Sequence, residues 1–505
     1  MGVGRMTPGH DLRIMPSTHP RTHRTHMSDS NSPNHIDRRT ALKLGALGVG
    51  AAATGGLSGC APDASTGGTM GQSGGGTMGP GAQLGAVPAS LGASPAQFFR
   101  SAPMETVRIG FVGVGLQGGG HVRNFLGIEG VEVVAICDIN AARAEQVAGW
   151  VTDDGRPMPT LYTEGDTDFQ RMCDTEEMDL VFTATPWEWH VPVCVYAMEH
   201  GSHAATEVPA AYTLEDCWKL VEVAEAQQKH CVMMENCNYD RAEMMVFNIA
   251  KQGLMGEIMH AECGYLHDLR GIKFSDANEG LWRRWHATQR NANLYPTHGL
   301  GPIANVMDIN RGDQFSYLVS MSSPSQGLQD WQQEHLAADD PRRNETYVLG
   351  DVNTCMIKTA RGRTIYVSHD CNLPRPYSRI HMVQGSKGIF QGYPNRLHIE
   401  GVSPDHRWED FADVIGLYDH PLWKDLEEMS AGAGHGGMDF IEDYRLIKCL
   451  REGLPTDMNV YDAAGISAVG PLTEWSVANG SQPAAFPDFT RGGWERYPAL
   501  ELFRG

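Results

Sequence analysis

Residues 107–138, VRIGFVGVGLQGGGHVRNFLGIEGVEVVAICD, decide the fold. A β-branched run from Val107 leads into Gly113-x-Gly115-x-x-Gly118, then a helix-like segment, then a second β-branched run closed by Asp138. Strand, glycine turn, helix and strand in this order make a dinucleotide-binding unit. Gly113 allows the tight turn, Gly115 lets backbone approach a pyrophosphate, and Gly118 lets helix and strand pack closely. The phosphates then sit at the helix N-terminus, where unpaired N–H groups point. An acid at the end of the second strand accepts from both ribose hydroxyls and repels a 2′-phosphate. Asp138 therefore predicts NAD rather than NADP.

The alternation continues outward from this unit. Met178–Thr185 (MDLVFTAT) reads as a buried parallel strand running into Pro186-Trp187-Glu188-Trp189-His190, and a helix follows through Met198. HAATEVP is the next short strand, ending at Glu207-Val208-Pro209. Residues 213–229 carry apolar positions at helical spacing behind Thr213, an N-cap residue type. Val232–Met234 then leads to Glu235-Asn236 at another strand end. Loops at the carboxyl ends of parallel strands line the ligand crevice. These elements predict an α/β chain with a nucleotide-binding domain over 105–232. A second, α+β domain with an open mixed or antiparallel sheet is expected over 233–505, its last segment free to pack back on the first.

At 505 residues with 41% hydrophobic content, the chain can bury two cores. A net charge of −21 argues against a nucleic-acid partner, which requires a basic face. Residues 1–60 stand apart from the fold. Arg38-Arg39 precede an uncharged stretch, Leu44 to Gly59, that ends Leu57-Ser58-Gly59-Cys60. Twin arginines before a mild apolar segment resemble a twin-arginine export signal, and LSGC resembles a lipobox with Cys60 as the acylated residue. The expectation is an exported periplasmic or cell-envelope lipoprotein that meets the membrane only through a lipid on Cys60. Residues 61–104 read as a Gly/Ser-rich tether. Setting Cys60 aside leaves ten of the 11 cysteines, none in a CxxC arrangement. Because twin-arginine substrates fold in the reducing cytoplasm, these are expected to be mostly buried free thiols, with no metal site.

The residues after Gly118 resemble the Gfo/Idh/MocA oxidoreductases, which join an N-terminal Rossmann domain to an open-faced substrate domain. In that family the strand after the second crossover usually ends Glu-Lys-Pro, with a catalytic lysine. Here it reads Glu207-Val208-Pro209, which puts simple alcohol–ketone chemistry by that lysine in doubt. Further motifs narrow the resemblance: PWEWH (186–190), EVPAA (207–211), MMENCNY (233–239), GYLHDLR (264–270), NLYPTHGLGPIA (293–304), DINRGD (308–313), RPYSRIH (375–381) and GHGGMDF (434–440). Together they are similar to glycoside hydrolase family 109, described as NAD-dependent α-N-acetylgalactosaminidases often exported by twin-arginine signals.

The resemblance implies a cycle rather than net oxidation. Hydride removal at sugar carbon 3 by NAD acidifies the carbon 2 proton, a base takes that proton, and the glycosidic oxygen leaves carbon 1. Water then adds and the hydride returns. NAD-dependent hydrolases of this kind stand outside the two-carboxylate rule. His298 and Tyr295 are the expected catalytic residues, a histidine being matched to proton transfer near neutral pH. The resemblance assigns Tyr265, Arg284, Tyr295, Pro296, Thr297, His298 and Tyr377 to the sugar. It assigns Leu116, Gln117, Asp138, Trp187, Glu188, Trp189, His190, Glu207, Val208, Asn236 and Tyr295 to NAD, beside Gly113, Gly115 and Gly118 read from the glycine loop. The alternative is an NAD-dependent sugar oxidoreductase of the Gfo/Idh/MocA type, and a homo-oligomer is open in either case. His190 reads equally as a loop-orienting residue, His267-Asp268-Arg270 as a structural cluster, and Trp282 and Trp285 as core filling.

Overall fold

The computed structural model describes residues 82–502. Arg38-Arg39, the apolar stretch, Cys60 and the first part of the tether lie outside the described residues. A short strand, β1 (Ala82–Gln83), opens the described chain. The nucleotide-binding half follows as β2 (Val107–Val112), α1 (Leu116–Leu126), β3 (Val131–Cys137), α2 (Ala141–Asp153), β4 (Thr160–Tyr162), α3 (Asp168–Thr175), β5 (Leu180–Thr183), α4 (Trp187–Glu199), β6 (His203–Thr206), α5 (Leu214–Gln227) and β7 (Cys231–Met233). Its six strands are all parallel, in the order β4-β3-β2-β5-β6-β7. Helices cover both faces, so β5 is buried at every position and its sequence is a continuous rather than alternating apolar run. The direction of strand progression reverses between β2 and β5, which opens the crevice at their carboxyl ends. Thr213 caps α5, its side chain accepting from the Asp216 N–H.

The second half begins with α6 (Arg241–Lys251) and β8 (Ile258–Leu266). It continues through α7 (Arg270–Lys273), α8 (Arg283–Gln289), α9 (Thr297–Val306), β9 (Phe315–Ser322), α10 (Gly327–His335), β10 (Val352–Thr359), β11 (Thr364–Asp370), β12 (Met382–Gly385), β13 (Gly388–Gln391), β14 (Arg396–Ile399) and β15 (Glu409–Asp410). The C-terminal part holds α11 (Phe411–Tyr418), α12 (Pro421–Ser430), α13 (Met438–Glu452), α14 (Val460–Ser467), α15 (Val469–Ala478) and β16 (Ala484–Ala485). Ten strands form one mixed sheet in the order β1-β16-β9-β10-β11-β8-β12-β13-β14-β15. Only β1–β16 and β11–β8 pair in parallel. The C-terminal segment does pack back: α13 lies on α1, and α14 on α5 and β7.

The tether expected over 61–104 ends earlier than composition indicated. β1 pairs with β16, Phe98 is buried with its ring 4.2 Å from that of Tyr497, and Arg491 Nε donates to the Gly92 carbonyl. The apolar Phe98 side chain and that backbone bond hold the segment against the fold, which low-complexity composition upstream conceals. Among the described residues, ten cysteines are buried and free. Among the described residues, no helix is long and apolar enough to cross a membrane.

Candidate active site

The glycine loop is shaped by close approaches. Gly113 has φ 80°, and a Cβ at Gly118 would stand 2.0 Å from the Gly113 carbonyl oxygen, so helix and strand meet only with glycine there. Beside Gly115, by contrast, the space a Cβ would take is open. No side chain caps α1, which leaves its first N–H groups to an anion. Asp138 Oδ2 accepts from the Val114 N–H at 2.8 Å, and Arg143 donates to the Val114 and Gly115 carbonyls at 2.7 and 2.6 Å. Leu116 is 69% exposed on the rim. An open glycine, an uncapped helix and a carboxylate at the next strand end fit a dinucleotide.

The other strand ends face the same crevice. Trp187 begins α4 and is buried, Glu188 is exposed, and Trp189 packs its ring 6.2 Å from Phe169. His190 lies between two carbonyls, Pro209 at 2.8 Å from Nδ1 and Thr185 at 2.9 Å from Nε2, so it ties two loops together. Glu207 Oε1 is 2.9 Å from His121 Nε2, whose Nδ1 is 2.9 Å from Asp443. Against the cost of burial, Asp443 and Glu207 raise the His121 pKa well above its ordinary value. Likewise, against burial, His121 holds Glu207 low, so a charged pair lies where the lysine is replaced by the buried Val208. Asn236 Nδ2 donates to Asp439 Oδ1 at 2.7 Å, and Asp439 Oδ2 pairs with His435 Nδ1 at 2.8 Å and reaches Gln117 at 3.4 Å. GHGGMDF thus ties the glycine loop to the end of β7.

His298 is the second residue of α9, two positions after Pro296. The two glycines that follow it explain its position. A Cβ on Gly299 would come within 2.5 Å of the Gly264 nitrogen, so α9 lies on the backbone of β8. A Cβ on Gly301 would meet Glu235 Cγ at 2.8 Å. Glu235 is therefore admitted beside the helix, and its Oε1 lies 2.7 Å from His298 Nδ1. This contact orients the ring, with Nδ1 toward the carboxylate and Nε2 on the opposite side. Glu235 is wholly buried, and its Oε2 and the Thr297 hydroxyl have no partner among the described residues.

Tyr295 stands beside the histidine with ring centroids 4.9 Å apart, and it stacks on Trp187 at 5.8 Å. That contact joins the nucleotide-binding edge to the second domain. Burial raises the Tyr295 phenol well above its ordinary pKa against the pull of Arg283, so the phenol holds its proton. Tyr265 closes the group, 4.7 Å from Tyr295 and 5.4 Å from His298, its hydroxyl 2.9 Å from His267 Nδ1. Tyr377 lies 6.0 Å beyond Tyr265. His267 thus serves Tyr265, while Asp268 pairs with Arg270 at 2.8 Å.

Arg284 and Arg283 divide differently from the expectation. Arg284 Nε donates to Glu345 at 2.8 Å and Nη1 to the Lys273 carbonyl at 2.9 Å. Arg283 is the arginine at the pocket, its guanidinium 5.1 Å from the Tyr295 ring and 5.3 Å from Trp187. Trp282 packs 5.0 Å from Trp187, whereas Trp285 is 58% exposed. Glu235 and Arg283 were not singled out from sequence. The available signal for Glu235 was an acid at a parallel strand end; for Arg283 there was none beyond adjacency. Glu235, Cys237 and His298 could in principle present O, S and N donors to one ion. Burial holds the Cys237 thiol well above its ordinary pKa and it donates to Asn236 Oδ1 at 3.3 Å, whereas a metal needs thiolate.

Comparison with known proteins places this geometry. Residues 107–235 match the NAD-binding Rossmann fold of the Gfo/Idh/MocA oxidoreductase family, and residues 239–496 match the C-terminal domain of glycosyl hydrolase 109. A glycosyl hydrolase family 109 protein of Shewanella pealeana is 46% identical over 416 residues, 81% of this chain and 91% of that protein. A Shewanella oneidensis protein named alpha-N-acetylgalactosaminidase is 47% identical over 406 residues, 79% and 88% of the two chains. Among solved structures, an NAD-binding oxidoreductase from Klebsiella pneumoniae aligns with TM-score 0.61 at 14% identity, over 75% of this chain and 99% of that one. Levoglucosan dehydrogenase in complex with NADH aligns with TM-score 0.59 at 18% identity, over 76% and 99%. At such identities these two show the shared fold alone. A Rossmann half, a ten-stranded sheet half and a family match across most of the described chain make this protein a member of glycosyl hydrolase family 109, an NAD-binding glycosidase.

Proposed function

We propose that the chain hydrolyses terminal α-N-acetylgalactosaminides, or a closely related sugar, by an oxidation–elimination–addition–reduction cycle. The reading rests on one observation above others: the stacking of Trp187 on Tyr295, which sets the Glu235–His298 pair against the cofactor edge. The glycine loop, the α1 N-terminus and Asp138 would hold the dinucleotide, Asp138 favouring NAD over NADP. Bound NAD supplies a hydride acceptor and donor for sugar carbon 3. The carbon 3 hydroxyl proton passes to solvent as the hydride leaves and returns with it; His298 Nε2, its ring steadied by Glu235, takes the carbon 2 proton, and the glycosidic oxygen leaves carbon 1 with a proton drawn from solvent. Tyr295 and Tyr265, both protonated, donate hydrogen bonds to sugar oxygens rather than act as bases. Glu235 is a positioning residue. The Glu207–His121–Asp443 network keeps a carboxylate where a lysine acid is absent, which weighs against net alcohol oxidation.

Incubation with para-nitrophenyl α-N-acetylgalactosaminide tests this reading. Nitrophenol release without accumulating NADH supports it; NADH formed in proportion to substrate consumed favours the oxidoreductase alternative instead. We further propose export by the twin-arginine route with a lipid on Cys60, supported by the Arg38-Arg39 and LSGC motifs. A membrane contact through that lipid alone, a carbohydrate rather than nucleic-acid partner, and a homo-oligomer complete the proposal. Mass spectrometry of the Cys60 peptide and the solution mass read these directly.

A further inference from the structure

A second histidine–carboxylate pair stands among the residues expected to hold the dinucleotide. His435 Nδ1 lies 2.8 Å from Asp439 Oδ2, four residues onward, where the GHGG turn leads into α13. The turn is shaped to make that contact. A Cβ on Gly434 would collide with the Asp439 carboxylate, so glycine there lets the side chain reach back to the ring. His435, Gly436 and Gly437 then run at φ 49°, 74° and 102°. A left-handed histidine is strained, and such strain gathers at functional sites. The turn leaves the His435 side chain 54% exposed, against 7% for Asp439. With Nδ1 turned to Asp439, Nε2 has no hydrogen-bond partner among the described residues. The hydrogen bond to Asp439 raises the His435 pKa above its ordinary value against the cost of burial, so more of the ring is charged near pH 7.

Three neighbours set this ring beside the nucleotide crevice. Asp439 Oδ2 also accepts from Gln117 Nε2 at 3.4 Å, in the uncapped first turn of α1, where diphosphate oxygens meet free N–H groups. Asn236 Nδ2 donates to Asp439 Oδ1 at 2.7 Å and lies 3.5 Å from His435 Nδ1, beyond the end of β7. Glu207, beyond the end of β6, adds to the same upward shift of the histidine. Other cations of this region are committed elsewhere. Arg143 spends its nitrogens on the Val114 and Gly115 carbonyls and on Gln146. His121 is buried between Glu207 and Asp443, and Arg283 lies over Trp187 and Tyr295. A diphosphate brings two negative charges, and a helix N-terminus answers them with only about half of one. His435 offers a cation whose Nε2 edge is unspent.

We propose that His435, oriented by Asp439, is a cofactor-binding residue that pairs with the diphosphate of NAD and slows its release. The proposal rests on the dinucleotide reading of the glycine loop, and gives the GHGG turn the task of retaining the cofactor through a cycle that restores it. His435→Asn tests it, since asparagine tolerates the left-handed backbone and carries no charge. Displacement of bound NADH by excess NAD, followed by NADH fluorescence, reads the release rate. Competition by ADP-ribose and by adenosine reads which part of the ligand is held. The variant should release NADH about tenfold faster and bind ADP-ribose about tenfold more weakly, with adenosine, which has no phosphate, within about twofold. His435→Gln serves as a second neutral variant if the first fails to fold. An unchanged release rate, or an equal loss with adenosine, overturns the proposal. A loss with NADH but none with ADP-ribose overturns it too, because the ring would then serve the nicotinamide end. If the unaltered chain binds neither NADH nor ADP-ribose, the dinucleotide reading itself falls and takes this proposal with it.

Discussion

Glu235 Oε1 lies 2.7 Å from Nδ1 of His298, across 63 residues of sequence. The contact orients the ring and makes the carboxylate a positioning group. Glu235→Gln offers an amide of the same shape without charge, and should lower kcat/KM by roughly 10²-fold while leaving KM within a few-fold. Steady-state kinetics reads the split between kcat and KM, and a kcat within about twofold of the parent would show that Glu235 serves packing only.

Gly115 and Gly118 separate ligand fit from packing. Gly118→Ala places a Cβ 2.0 Å from the Gly113 carbonyl and should destabilise the fold by about 1–3 kcal/mol. Gly115→Ala meets nothing within 4 Å, so its thermal midpoint should match the parent while its NAD affinity falls. Calorimetric titration with NAD, paired with thermal melts, reads both. Undiminished NAD affinity in Gly115→Ala would mean the dinucleotide does not lie on this loop.

Arg283 and Arg284 are neighbours with different duties. Arg283→Ala removes the guanidinium over Tyr295 and Trp187 and should reduce kcat/KM by at least about tenfold. Arg284→Ala breaks the pair with Glu345 and should act on stability by about 1 kcal/mol or less. Steady-state kinetics on the two variants decides the matter, and the reverse ranking would return the sugar contact to Arg284.

Acid should weaken the fold through buried neutral histidines. Burial pushes His203 down to about 3 and His230 to about 4, and His203 Nδ1 accepts the His230 N–H at 3.0 Å, a bond only the unprotonated nitrogen can make. In the unfolded chain both rings take protons below about 6.5, so the unfolded form gains first as pH falls. Stability present above that value is lost progressively toward pH 4, by about 1.4 kcal/mol per pH unit for each ring. Thermal melts between pH 7 and 5 should show a falling midpoint; a flat one would contradict the assignment.

The nucleotide-binding half was legible because its signals are local. The glycine spacing, the acid at 138 and the continuous apolar strands each lie within one β-α-β unit. The run 295–298 was legible as chemistry, since a phenol and an imidazole stand three positions apart. What surrounds them was not. Glu235 reaches His298 only because Gly299 and Gly301 let α9 settle on β8 and the end of β7, a tertiary fit with no local signature. Arg283 and Arg284 differ by one step of a short helix, which turns the side chain by roughly 100°. Composition upstream likewise hid the pairing of β1 with β16, because a two-residue strand has no periodicity to read.

The central claim is that the glycosidic bond breaks by elimination after carbon 2 loses its proton to His298. Hydrolysis in heavy water, with mass spectrometry and NMR of the released sugar, tests it most directly. The account predicts one deuterium at carbon 2 of the product, and neither label nor turnover in His298→Ala. A product released at the normal rate with its carbon 2 proton intact would contradict it.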